Sequence, residues 1–449
     1  MRSFVLITLV LLMTSPWPVL AEPPKANADD LVLKANQFID HLTKGEFEKG
    51  TEHFDETMTK VMSPTRLKQT WVGLLLTAGV LESRGTAYRE KLRAYDIVYV
   101  PCQFNRQSLD IKVVFDQKKA IAGLGFVQPK ADREYKLPAY VDKKAFRETE
   151  ITVGNDPWKL PGTLAIPNGR GPFPAVVLVH GSGPNDRDET VGSNKPFKDL
   201  GMGLASHGVV TLRYDKRTKV HGAKMVLSKD ALTVKQETID DVIEVARLLH
   251  DNPLVDANRI FVLGHSLGGY LVPRIAARDA ESLLAGYIVL AGSARPIEDL
   301  MWEQTNYILN LDWTLSDADK KHLEELKLQI DKIKSADLAD APPTTSILGV
   351  TAPYWLDLRA YEPAKQATKR VNRPMLILQG ERDYQVTMVD FQNWKDALSS
   401  RDDVQFKSYP DLNHLFISGR GKSTPSEYAV RGNVSKAVVD DIIKWITQR

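Results

Sequence analysis

Two patterns of apolar and polar positions divide this chain. In the first, Leu31, Ala35, Phe38, Ile39 and Leu42 recur at the spacing of one helix face, and Gly45 ends the segment. Ser63 followed by Pro64 has the form of an N-cap with proline at the first helical position, which predicts a helix through Trp71 to Ala78. Residues 97–104, 109–115 and 121–127 read as strands, with Leu109, Ile111, Val113 and Phe115 alternating. Helices followed by strands predict a small α+β domain over residues 29–127. Residues 128–147, rich in Lys, Asp, Pro and Tyr, read as a linker, with a structured arm packed across both domains as the alternative.

In the second pattern, over residues 148–449, apolar strands alternate with helices. Residues 174–179, 209–214, 259–263, 286–290 and 374–378 are short apolar runs, and a further strand is expected at 404–409. Residues 235–250 are amphipathic, with Ile239, Val242, Ile243, Ala246 and Leu249 on one face, and residues 433–447 form a closing helix. This alternation predicts a mostly parallel sheet with helices on both faces. The stretch at about 295–372 is too long for one crossover. It holds a helix with Leu323, Leu326, Ile330 and Ile333 on one side, then Pro342-Pro343 and Pro353-Tyr354-Trp355. It reads as an insertion above the strand ends, a lid or pocket wall.

Charge and composition narrow the function classes. The chain has 59 Lys and Arg against 57 Asp and Glu, with no single-sign run. No basic excess is present to displace counterions, so nucleic acid is not an expected partner. Cys102 is the only cysteine, which excludes an intramolecular disulfide and a Cys-rich zinc site. His207, His221, His265 and His414 lack metal-ligand spacing, and there is no P-loop and no G-x-G-x-x-G opening a βαβ unit. Neither metal nor cofactor is expected. Residues 1–21 read as a secretory signal peptide: a basic start at Arg2, an apolar run over 4–13, and Val19-Leu20-Ala21 before Glu22. Export, with the periplasm as first choice of compartment, and no membrane span after cleavage are the corresponding expectations.

The chemistry is concentrated at Gly264-His265-Ser266-Leu267-Gly268, a G-x-S-x-G pattern between an apolar strand and a helix. That context presents the Ser266 hydroxyl as a nucleophile at the strand end and turns the Leu267 amide toward a developing oxyanion. An acid and a histidine follow in the order the mechanism needs. Asp383 lies just after the strand 374–378, and His414 just after the strand 404–409. Glu381, Asp411, Glu298 and Asp299 are the competing acids. His180-Gly181-Ser182-Gly183 follows the strand 174–179, and the Ser182 amide is the second expected oxyanion donor. His180 reads as a structural residue that holds this loop. The charged groups at 186–188, Lys195 and 215–217 read as ion pairs pinning the loop, with substrate orientation as the alternative.

These residues resemble a bacterial α/β-hydrolase serine esterase family whose members carry an N-terminal domain of unknown function. The likeness is carried by residues 180–189, 194–200 and 213–218, by Gly264-His-Ser-Leu-Gly-Gly, and by Tyr354-Trp-Leu-Asp-Leu. It implies an α/β-hydrolase fold with Ser266, Asp383 and His414 as catalytic triad, and a small-molecule ester with a short acyl chain as substrate. The N-terminal region is similar to nuclear-transport-factor-like domains, on Gly45-Glu46-Phe47 and residues 67–71. Such domains bind ligands or dimerise, which leaves a homodimer open. An exported peptidase, amidase or acyltransferase could use the same triad. A non-catalytic binding protein on this fold is the reading from another class.

Overall fold

The computed structural model describes residues 30–449, apart from 106–107, 128, 131–133, 227–231, 312–314, 316 and 360. The expected signal peptide, residues 1–21, lies outside the described residues, as do parts of the expected linker. The chain divides into two compact units, one ending at Glu134 and one running from Tyr135 to Arg449. No helix among the described residues is long and apolar enough to cross a membrane.

In the first unit, Leu31, Ala35, Phe38, Ile39 and Leu42 are the buried face of the helix Asp30–Lys44. The Ser63 hydroxyl accepts from the Arg66 amide and caps the helix Pro64–Ala78. The strands are β1 (Leu81–Arg84), β2 (Tyr88–Leu92), β3 (Tyr95–Phe104), β4 (Ser108–Phe115) and β5 (Ile121–Val127). They pair antiparallel, with β3 beside β4, β4 beside β5, and β1 and β2 both along β3. Leu109, Ile111, Val113 and Phe115 join Phe38, Leu67 and Trp71 in one core. The pattern reading does not anticipate β1 and β2. Their Glu82, Ser83, Arg89, Glu90 and Lys91 are exposed, and a strand with little buried side chain carries no alternation to read.

The larger unit is built on an eight-stranded sheet in the order β15-β14-β11-β10-β8-β9-β7-β6. Here β6 is Phe146–Val153, β7 Leu160–Pro167, β8 Phe173–Val179, β9 Val210–Tyr214, β10 Val255–His265, β11 Gly286–Leu290, β14 Met375–Gly380 and β15 Val404–Tyr409. Two short strands, β12 (Ser346–Ile347) and β13 (Val350–Thr351), form a separate hairpin. Pairing is parallel from β15 to β9 and antiparallel at β7 and β6. The expected strands are all present with ends shifted by a few residues, but β6 and β7 were not foreseen. Residues 147–150 of β6 are exposed at the sheet edge, so the segment lacks an apolar run.

Both faces of the sheet are covered. Ala175, Val177 and Val179 of β8 enter one core, with Val242, Leu249, Ile275 and Trp394. Val176 and Leu178 enter the other, with Phe197, Leu204, Val438, Ile442 and Trp445. Residues 135–147, expected as linker, belong to the larger unit. The Tyr135 hydroxyl donates to Asp199 at 2.7 Å and that of Tyr140 to the Val434 carbonyl at 2.8 Å. Leu137, Val141 and Ala145 pack against Met202 and Ala205. In the insertion, Ile333, Tyr354, Trp355 and Leu358 join the same core as Val177, so this part of it is packed wall.

Buried charges tie the loops at the carboxyl ends of the strands. Glu189 and His265 meet at 2.9 Å, each about 5% exposed in its side chain, with Oε2 off the direction of the ring N–H. The other ring nitrogen, Nε2, lies 2.9 Å from the His414 carbonyl oxygen. A carbonyl and a carboxylate only accept, so both neighbours favour the protonated ring. Burial pushes both groups toward neutrality. The opposing charge reverses this, holding Glu189 below the usual carboxylate range and raising His265.

Two outcomes follow from this packing. Ile442, fully buried in the helix Lys436–Thr447, should cost about 2–5 kcal/mol when replaced by Ala. A urea midpoint lowered at unchanged slope would report it. For the ion pair, the raised His265 value means its contribution is complete below 6.5 and lost as pH rises through the folded value. Glu189, being lowered, contributes above 4.5 and loses this as pH falls through its folded value. The stability gap between the wild type and an E189Q/H265Q variant should therefore be widest between those values. Above them it should narrow by up to about 1.4 kcal/mol per pH unit. A gap that stays flat from about pH 6 to about pH 9 would mean a neutral His265.

Candidate active site

Ser266 stands where β10 turns into the helix Leu267–Tyr270, with φ 52° and ψ −116°. A non-glycine residue with positive φ is strained, and the surroundings enforce it. Its amide donates to the Leu290 carbonyl at 2.9 Å, and its carbonyl accepts from the Tyr270 amide at 2.9 Å. On either flank a side chain is impossible. A Cβ at Gly264 would lie 2.3 Å from the Gly268 oxygen, and one at Gly268 would lie 2.2 Å from the Val179 oxygen. The amide of Leu267 opens the helix that follows.

Asp383 and His414 meet beside this turn. The His414 Nδ1 lies 2.7 Å from Asp383 Oδ2, and both side chains are buried. The other carboxylate oxygen accepts from the amides of Gln385 at 2.7 Å and Val386 at 3.0 Å. Gln379 donates to Oδ2 at 3.1 Å. With each oxygen so ligated, the carboxylate is fixed in place and accepts the ring's Nδ1–H. His265, the residue before Ser266, contacts His414 through its ring, at a centroid distance of 4.8 Å, as well as through the carbonyl. His414 Nδ1 is bonded to none of the competing acids. Glu381 is exposed and accepts from Ser408, Asp411 is exposed, Asp299 pairs with Lys334, and Glu298 is buried in the helix Ile297–Leu309. The helix Ile297–Leu309 borders the loop that carries Asp383. Gln304 donates to the Gln385 carbonyl at 2.8 Å, and Tyr307 stacks on Tyr384 at 5.1 Å.

The loop after β8 closes over Ser266. A Cβ on Gly181 would lie 3.1 Å from the Ser266 Cβ. The Gly181 amide donates to Glu189 at 2.6 Å, and its carbonyl accepts from Lys216 at 2.9 Å and Asn185 at 3.1 Å. Ser182 is exposed on this loop. His180 is buried between Phe197 and Tyr214, and burial pushes it down to about 4, so it sits there neutral. The charged groups all have partners. Arg187 pairs with Asp215 and Glu150, Arg213 with Asp188 and Glu148, Lys216 with Glu237, and Arg217 with Asp241. The geometry matches ion pairs pinning the loop. Glu237 and the role of His265 carry no signal of their own along the chain. Glu189 closes the run 180–189, the one sign of its importance along the chain.

Residues 172–419 match the family described as serine aminopeptidase, S33. Residues 35–124 match a family described as a protein of unknown function, DUF3887. The chain is 41% identical over 413 residues to the esterase EstD of Thermotoga maritima, covering 92% of this chain and 94% of that one. Among solved structures, Est1E from Butyrivibrio proteoclasticus is 17% identical, with 66% of this chain and 99% of that one covered, at a TM-score of 0.42. Acetyl xylan esterase 1 from a Thermoanaerobacterium species is 14% identical, with 70% and 87% covered, at a TM-score of 0.42. The match over most of the sheet and the near full-length likeness to an esterase place the chain in the serine aminopeptidase S33 family of α/β-hydrolases, as a serine hydrolase of the carboxylesterase type.

Proposed function

We propose that this enzyme cleaves carboxylic esters through an acyl-enzyme on Ser266, with His414 as general base and Asp383 as its orienting acid. The 2.7 Å bond between His414 Nδ1 and the ligated Asp383 carboxylate carries this reading. It leaves Nε2 as the nitrogen that accepts the Ser266 proton. As Oγ attacks the ester carbonyl, the carbonyl oxygen takes up negative charge and is met by the amides of Ser182 and Leu267. Collapse expels the alcohol, which takes the proton from His414. Water then attacks the acyl-enzyme by the same route in reverse and releases the acid and Ser266. The acyl group is short, in keeping with the family likeness. The enzyme acts after export, with residues 1–21 removed.

The same residues serve amide hydrolysis, and the matching family's description names an aminopeptidase. Turnover of p-nitrophenyl acetate far above that of alanine p-nitroanilide is the expected result. Comparable rates on both would transfer the assignment to a peptidase. Ser266→Ala should reduce hydrolysis of p-nitrophenyl acetate to background and abolish labelling by a fluorophosphonate. Asp383→Asn should lower kcat by about 10⁴ while labelling persists slowly. Wild-type turnover in the Ser266 variant would remove the nucleophile, and wild-type turnover in the Asp383 variant would remove the acid.

A further inference from the structure

Lys216 is 1% exposed, and its ammonium group is spent on buried partners. It donates to the Gly181 carbonyl at 2.9 Å and pairs with Glu237 at 2.9 Å. Glu237 in turn accepts from the Tyr354 hydroxyl at 2.6 Å, which anchors the relay in the insertion. Glu237 lies in the π-helical turn Lys235–Ile239, which runs into the helix Asp240–His250. Such turns are rare and are frequent near functional sites. A buried ion pair is a weak way to stabilise a fold, since apolar side chains of the same size do as well. Stability alone therefore does not account for a lysine at this place.

We propose that Lys216 is a positioning residue for the oxyanion, acting through the peptide group that joins Gly181 to Ser182. This rests on Ser266 as nucleophile and the Ser182 amide as oxyanion donor. In a trans peptide the C=O and the N–H point in opposite directions across one rigid plane. Holding the Gly181 carbonyl on Lys216 therefore aims the Ser182 N–H the other way. Gly181 is the residue that lies against Ser266. A cation on the carbonyl also polarises the peptide and strengthens its N–H as a donor. Asn185 supplies a second, neutral donor to that carbonyl and cannot replace the charge. Glu237 and Tyr354 act one step further back, by keeping the ammonium group in place.

The test uses the full-length enzyme with Lys216→Met, and the double variant K216M/E237Q so that no carboxylate is left buried without its partner. In both, kcat for p-nitrophenyl acetate should fall about 10- to 100-fold with KM changed less than about two-fold. Affinity for an aryl trifluoromethyl ketone, which binds Ser266 as a hemiketal oxyanion, should fall by the same factor as kcat. Inhibition by acetate, the product, which carries no such oxyanion, should stay within about two-fold. Wild-type kcat together with wild-type ketone affinity in the folded double variant would overturn the role of Lys216. Equal weakening of ketone and acetate would also overturn it, since that marks a general loosening. If Ser266→Ala is inactive in either case, the nucleophile stands and only Lys216 is at fault. If Ser266→Ala is active, the underlying reading has failed instead.

Discussion

The turn at Ser266 leaves no space for a side chain on either flank, and the rest of the site depends on that crowding. Backbone oxygens lie 2.3 Å and 2.2 Å from where side chains would begin at Gly264 and Gly268. Contacts that short bring β10, the helix after it and the end of β8 together main chain to main chain. The parallel register that sets Gly264 opposite Val179 is therefore more than sheet pairing. It fixes how far the loop after β8 stands from Ser266. A methyl group at Gly268 would push against the Val179 and His180 carbonyls and so displace that loop, and one at Gly264 would push the helix after Ser266 out of place.

A second geometric demand comes from the sheet itself. β15 is separated from β10 by β14 and β11. At about 4.8 Å per strand, the loop carrying His414 must cross roughly 14 Å to reach the end of β10. It does so over the end of β14, where Gly380 admits it. A Cβ there would lie 2.4 Å from the Leu412 oxygen and 2.8 Å from the Asn413 oxygen. Asn413 then folds the loop back by accepting from the amides of Leu415 at 3.0 Å and Ile417 at 3.2 Å. Asp383 follows the same strand that the loop crosses, which is why the acid and the histidine meet although they come from different strand ends.

Much of this was legible along the chain where burial imposes a period. β4 alternates because one face is core, and β8, β10 and β11 are continuous apolar runs because both faces are. The tight turn at Ser266 and the places of Asp383 and His414 after strands were legible for a similar reason: each is a local pattern at a strand end. The exposed strands β1, β2 and β6 were not, since little of them is buried. The anchors of residues 135–147, Tyr135 on Asp199 and Tyr140 on Val434, were not legible because they are single long-range contacts without periodicity. The pairing of Glu189 with His265 and of Lys216 with Glu237 escaped for the same reason. Charged side chains in loops look alike in a sequence whether they meet water or one another.

Those two ion pairs acquire their meaning from the residue between them. At Gly181 space is tight, because a side chain would begin 3.1 Å from the Ser266 Cβ. Glycine is also the residue with the greatest backbone freedom, and a loop that wanders cannot present a fixed donor. The structure removes that freedom from outside. Glu189 holds the amide of Gly181 and so the peptide plane before it; Lys216 holds the carbonyl and so the plane after it. Two planes that share one Cα and are each gripped at a buried charge leave φ and ψ of that residue no slack. Glu189 is itself held by His265, which bonds to the backbone of His414. The loop after β8, the turn at Ser266 and the loop carrying His414 are thus joined through a chain of buried polar contacts, where each contact is stronger than it would be in solvent. Preorganisation here is a property of the buried charges, and the glycines make the close approach that lets those charges act.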